Sequence, residues 1–130
     1  MDEPVWLTWR ILESLHYEQL LQFGGAPGVR DKGLIESALD RPRFKYEYEQ
    51  ADMATLAGAY GFGLTKNHGF NDGNRRAGLM AMYVFLGLNG LEIMAPEEEV
   101  VLLMEGVAGS EISEEALADW LRKWTVPLEE

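Results

Sequence analysis

Residues 53–90 read MATLAGAYGFGLTKNHGFNDGNRRAGLMAMYVFLGLNG, and this stretch decides the fold. From Asp52 onward, Met53, Leu56, Ala57, Tyr60 and Leu64 recur at intervals of three and four, the period of a helix with one buried stripe. That helix is expected to end near Asn67. The polar, glycine-containing segment from His68 to Gly73 breaks the pattern, and an apolar run from Ala77 through Leu88 restores it up to Asn89-Gly90. Because this second run is apolar on nearly every side, it predicts the central buried helix.

Working outward, Thr8 can cap a helix over roughly 9–22 whose buried face holds Ile11, Leu12, Leu15 and Leu20, with Gly24-Gly25 as its stop. Asp31 can cap a short second helix carrying Leu34, Ile35, Ala38 and Leu39. Pro42 disfavours helical geometry in the residue before it, so this helix is expected to end near Arg41 and 42–50 to be a connection. Downstream, Pro96 before Glu97, Glu98 and Glu99, and Ser113 before Glu114 and Glu115, have the form of helix starts. The last helix would present Leu117, Trp120, Leu121 and Trp124 on one side, Trp120 and Trp124 being core residues. Leu91–Met94 is the only strand candidate, and there is no repeat or linker. The expected class is therefore all-α, a bundle of about six helices around a central buried helix, with 1–130 a single domain.

A chain of 130 residues that is 47% hydrophobic can bury one core without crosslinks. It contains no cysteine, so disulfides and thiolate metal sites are excluded, which suits a reducing cytoplasm. No apolar run approaches the roughly 20 residues of a membrane span, and Met1-Asp2-Glu3-Pro4 lacks the basic start of a signal peptide. A formal charge of −11 argues against nucleic acid as a partner, because such binding relies on basic side chains displacing counterions.

The chemistry concentrates between the two central helices. His68-Gly69-Phe70-Asn71-Asp72-Gly73-Asn74-Arg75-Arg76 places a histidine, a carboxylate, an asparagine and two arginines within nine residues. Asn74, Arg75 and Arg76 would open a helix whose free N–H groups and positive dipole end favour an anion, and two guanidiniums add forked donors that match phosphate oxygens. Arginines there oppose the helix dipole, a cost that an anionic ligand removes. Asp72 offers the oxygen ligand magnesium prefers, since one carboxylate plus substrate phosphates is an ordinary arrangement for that ion. Histidine titrates near neutral pH, so His68 could accept a proton from a hydroxyl. Together these parts describe phosphoryl or nucleotidyl transfer.

The segment resembles the signature of the Fic/Doc family, and within it the death-on-curing (Doc) toxins. Fic proteins read His-Pro-Phe-x-Asp/Glu-Gly-Asn-Gly-Arg and Doc-like members His-x-Phe-x-Asp-Ala/Gly-Asn-Lys-Arg; His68, Phe70, Asp72, Gly73, Asn74 and Arg76 match at the same spacing. The likeness extends over roughly 11–95, through Gly24-Gly25, Gly28 and Arg30-Asp31 upstream and Phe85-Leu86 with Asn89-Gly90 downstream.

The resemblance implies that His68 abstracts a proton from a target hydroxyl, Asp72 holds the metal, Asn74 and Arg76 contact nucleotide phosphates, and Phe70 anchors the loop. Catalytic residues would then be His68, Asp72 and Arg76, and the nucleotide-binding set Gly73, Asn74, Arg75 and Arg76, with ATP and magnesium as cofactors. It further implies a toxin that phosphorylates a protein such as a translation elongation factor, held in check by an antitoxin from a neighbouring gene. Position 69 is glycine where Fic proteins have proline. Position 75 is arginine where Fic adenylyltransferases have glycine and Doc toxins lysine, so size and charge group Arg75 with Doc. Transfer of AMP, and a silent module that binds a nucleotide or partner without turnover, stay open as alternatives.

Other features have plainer readings. His16 lies outside any motif, and with two histidines in the chain it is expected to be a helix-surface residue rather than a zinc ligand. Gly24-Gly25 and Asp31 are accounted for by helix termination and capping. Self-inhibited members of the family carry Ser/Thr-x-x-x-Glu-Gly/Asn. The nearest sequence here, Val101-Leu102-Leu103-Met104-Glu105-Gly106, lacks the hydroxyl residue, so inhibition within the chain is not supported.

Overall fold

Side chains at the helix starts act as their types dictate. In the computed structural model, which describes residues 3–129, Thr8 accepts from the Ile11 N–H to open α1 (Trp9–Phe23), and Asp31 from the Leu34 N–H to open α2 (Lys32–Glu49). Asp52 accepts from the Thr55 N–H to open α3 (Met53–Asn67), and Ser113 from the Ala116 N–H to open α6 (Glu114–Trp124). Each bond satisfies a donor that has no partner inside its helix. Between them run α4 (Asn74–Leu88) and α5 (Glu97–Ala108). These six helices, and a two-stranded ribbon of β1 (Leu91–Ile93) antiparallel to β2 (Thr125–Pro127), are the elements among the described residues, so the class is all-α. No helix among those residues is long and apolar enough to cross a membrane. The expectation that the N-terminus lacks a basic start falls partly on Met1 and Asp2, outside the described residues.

Two expectations are corrected. The helix buried on most sides is α3 rather than α4. Small residues at Ala54, Ala57, Gly58, Ala59, Gly61 and Gly63 let α2, α4 and α6 approach α3 closely, whereas α4 buries one side, with Ala77, Ala81, Met82, Phe85 and Leu86, and exposes Gly87 and Leu88. Apolar density in the sequence overstated α4, because closeness of packing is set by side-chain size as much as by polarity.

The second correction concerns α2, which runs on to Glu49 through Pro42 instead of ending near Arg41. A proline inside a helix removes one hydrogen bond and costs about 3 kcal/mol. Tertiary contacts on both sides of it outweigh that. Pro42 is itself buried, Tyr46 sits edge-on against Trp6 at 5.6 Å, and Arg41 and Lys45 pair with Glu114 of α6 at 2.6 and 3.6 Å.

The last helix presents Leu117 and Leu121 to the core with Trp120 and Trp124 half-buried beside them, as its spacing predicts. Tyr60 of α3 and Phe85 of α4 meet at 5.0 Å in the centre, and the Tyr60 hydroxyl accepts from the Leu7 N–H, tying the N-terminal segment to the core. The consequence for the site is that α3 ends, and α4 begins, on one face of a closely packed pair.

Candidate active site

The six residues from His68 to Gly73 form the turn between α3 and α4, Asn74 to Arg76 open α4, and a second segment, 25–31, is laid alongside the turn. Val29 and Phe70 form an antiparallel bridge. Gly69 O accepts from the Arg30 and Asp31 N–H groups at 2.8 and 2.9 Å, and Asn71 N donates to Gly28 O at 3.0 Å. The Phe70 ring is buried and lies parallel to the His16 ring with centroids 3.7 Å apart. Asn74 closes the turn on itself, its Oδ1 accepting from Phe70 N at 2.9 Å and its Nδ2 donating to Phe70 O at 3.0 Å.

Around this scaffold the sequence-predicted residues converge. A cleft of about 640 Å³ is lined by His68, Asp72, Gly73, Asn74, Arg75 and Arg76, with Val101 and Ala108 of α5 on its far side. His68 is the residue after α3, left-handed at φ 52°, with its side chain exposed. Gly73, at φ 77°, precedes α4 without a side-chain cap. The first intrahelical bond of α4 is donated by Ala77 N to Gly73 O, so the N–H groups of Asn74, Arg75 and Arg76 have no acceptor within the helix. Neither arginine forms an ion pair among the described residues. The Arg76 guanidinium instead rests over the exposed Phe23 ring, 4.5 Å from its centroid.

Asp72 is exposed and anchored by the backbone: Oδ1 accepts from Gly73 N at 2.8 Å and Oδ2 from Ala26 N at 3.2 Å. These two N–H groups, helped by the charges of Arg76 and His16, hold its carboxyl below the usual carboxylate range. At neutral pH it is therefore an anion.

Sequence reasoning missed the layer beneath the loop. His16 is buried, not a surface residue: it stacks on Phe70, and its Nε2 lies 2.8 Å from Asp72 O. Its position four residues after buried Leu12 was the available signal, since that spacing returns to the same helix face. Gly24-Gly25 does end α1, and Asp31 does cap α2. Gly25 has a second duty, because at φ 123° a Cβ there would stand 2.8 Å from Asp72 Oδ2. Arg30, also missed, donates from Nε to His68 O at 2.6 Å and from Nη2 to Asn67 O at 3.2 Å.

Residues 6–86, more than half of the chain, match the Fic/DOC family. The chain belongs to that family. Among curated relatives, the Protein kinase doc of Escherichia phage P1 is 33% identical over 113 residues, covering 86% of this chain and 89% of that protein. The Toxin Doc of Mycolicibacterium smegmatis is 35% identical over 77 residues, 58% of this chain and 59% of that protein. The resemblance seen in the loop is thus a true family relationship.

Within the Fic/DOC frame, the departure at position 69 has a local cause. Gly69 is buried against α2, where a Cβ would overlap the Ile35 side chain and stand 3.2 Å from Asp31 O, so no side chain fits without movement. Arg75, the other departure, is exposed on the first turn of α4 and lines the cleft. For a metal, no group of three or more His, Cys, Asp or Glu residues is placed to hold an ion together among the described residues. Asp72 alone fits a magnesium ion that takes its remaining ligands from water and phosphate, because each carboxylate oxygen keeps a lone pair beyond its single backbone bond.

Proposed function

We propose that this chain is the toxin of a toxin–antitoxin pair, a cytoplasmic enzyme that transfers the γ-phosphoryl group of ATP to a Ser/Thr hydroxyl of a target protein such as a translation elongation factor. The observation that carries this reading is the convergence on one cleft of His68, the ionised Asp72 and the arginine-bearing start of α4. The names of the two relatives, a protein kinase and a toxin, support it. Arg75 favours phosphoryl over AMP transfer, because its side chain occupies the helix start where a glycine would leave room for phosphates.

In this reaction His68 accepts the proton of the target hydroxyl, whose oxygen bonds to the γ-phosphorus. The bond from that phosphorus to the β–γ bridging oxygen breaks, and ADP leaves with the electron pair. Arg75, Arg76 and the unbonded N–H groups at the α4 start hold the phosphates, while Asn74 keeps the turn in shape through Phe70. Magnesium, which Asp72 would hold, neutralises phosphate charge when bound. An antitoxin that folds a segment over the cleft would bury the exposed Val101 and Leu102 of α5.

Incubation of the chain and a cell extract with ATP labelled at either the γ- or the α-phosphate tests this. Protein label from the γ-position alone is expected, and His68→Ala should abolish it while nucleotide binding persists. Label from the α-position would mean AMP transfer, and none from either a binding module without turnover. Expression of the chain alone should slow growth, and the neighbouring gene product should restore it. Harmless expression would count against the toxin reading.

A further inference from the structure

The last turn of a helix leaves carbonyls without intrahelical donors, and the residue that leaves the helix left-handed is usually glycine. Here that residue is His68, at φ 52°, a conformation uncommon for residues other than glycine, among which asparagine, aspartate and histidine adopt it most readily. Three consecutive carbonyls at this point are satisfied by two residues of the neighbouring segment. Arg30 bonds His68 O through Nε and Asn67 O through Nη2, and the backbone N–H groups of Arg30 and Asp31 bond Gly69 O. Asn67 in turn donates from Nδ2 to Leu34 O at 2.9 Å, and Gly69 is packed against Ile35. The chain is thus pinned immediately before, at and immediately after the His68 Cα, by a residue that does not line the cleft.

We propose that Arg30 is a positioning residue, whose guanidinium fork sets the direction in which His68 offers its imidazole to the cleft. The proposal rests on His68 being the base of the reaction described above. A fork is suited to this because one planar group bonds two successive carbonyls, which the single ammonium of lysine reproduces poorly. A base displaced by about 1 Å loses on the order of 100-fold in rate, so the orientation of the turn matters more than its stability.

Arg30→Met keeps the apolar stem and removes both donors, and Arg30→Lys restores a cation without the fork. Two readings are taken on each folded variant. In the first, kcat for protein labelling should fall on the order of 10- to 100-fold for Arg30→Met while KM for ATP stays within about two-fold, with part of the loss recovered by lysine. The second uses the fact that the chain has only two histidines, so their ring NMR signals are separable without turnover. The His68 signals should shift or broaden in Arg30→Met while those of His16, buried beneath the loop, stay in place. Unchanged His68 signals, or a kcat within about two-fold of the wild type, overturn the proposal. So does a parallel disturbance of His16 and of KM, which marks general loosening. Should Arg30→Met fail to fold, Arg30→Lys is read against the same criteria. If the wild type labels no protein at all, the proposed reaction is lost, and the ring signals alone decide whether Arg30 orients His68.

Discussion

Gly78→Ala probes whether the α3–α4 separation that frames the loop depends on the absence of one methyl group. Gly78 lies on the second turn of α4, facing α3. A Cβ there would overlap the buried Thr65 hydroxyl and come within 2.9 Å of Gly61 O, a backbone atom of the opposite helix that cannot move alone. In an open helix interior the same substitution gains about 1 kcal/mol from propensity. Overpacking typically costs about 1–3 kcal/mol, and the backbone obstruction places this site toward the upper end. The net expectation is a loss of roughly 1–2 kcal/mol, a drop of about 3–8 °C in Tm for a chain of this size.

Gly87→Ala is the matched control. It lies on the same helix with nothing within 4 Å of its Cβ, so it should gain up to about 1 kcal/mol. Urea and thermal unfolding followed by circular dichroism would read both. Opposite signs are expected; a Gly78→Ala protein as stable as the wild type would refute the close-approach argument. Thr65 precedes His68 by less than one turn, so the same variant should also lower protein labelling, by on the order of 10-fold, through displacement of the loop.

Tyr60→Phe leaves the Leu7 N–H without its partner and should cost roughly 1–3 kcal/mol in urea unfolding at pH 7. Burial pushes the Tyr60 phenol from 10.0 up to about 12. A raised folded value means its contribution is intact below pH 10 and lost as pH rises toward 12, so the wild-type margin over Tyr60→Phe should narrow by roughly 2–3 kcal/mol across that window; a margin independent of pH there would be wrong for a buried phenol. Asp72→Asn should raise the magnesium concentration needed for half-maximal labelling, and labelling that never required magnesium would remove Asp72 from that role. Arg75→Gly should lose label from γ-phosphate ATP; retention of it would show that this side chain does not govern which group is transferred.

The parts of the molecule legible in the sequence are those in which one local rule suffices. Thr8, Asp31, Asp52 and Ser113 cap helices because a short oxygen-bearing side chain at that position has an N–H group within reach. The loop was legible because its residues are contiguous. What was not legible depends on pairing across distance. Pro42 continues a helix because Trp6 and Glu114 hold Tyr46 and Lys45 in the turn beyond it, and β2 is three residues that extend along the edge of β1. His16 carries no local mark of function, and Arg30 stands out only as part of the family-like stretch with Gly28 and Asp31, since their partners Asp72 and His68 lie 56 and 38 residues away.

Helix starts show how the fold accommodates its chemistry. In a chain with 22 acidic and 11 basic residues, α5 and α6 begin with Glu97 to Glu99 and with Glu114 and Glu115, each favourable to the positive end of the dipole. The first turn of α4 has no carboxylate and carries Arg75 and Arg76 instead. Each such charge costs about 0.3–1 kcal/mol at an exposed terminus, and no ion pair among the described residues offsets it. Asp72, anchored by backbone N–H groups, feels the charge of Arg76 without forming an ion pair with it, and the Arg76 guanidinium rests over the Phe23 ring. These contacts offset part of the cost for Arg76, and a bound phosphate reverses the sign of what remains by pairing with the guanidiniums and the dipole together. On the proposed reading, this helix start, open to the cleft in a chain rich in carboxylates, is a place where a triphosphate lowers the free energy of the protein that binds it.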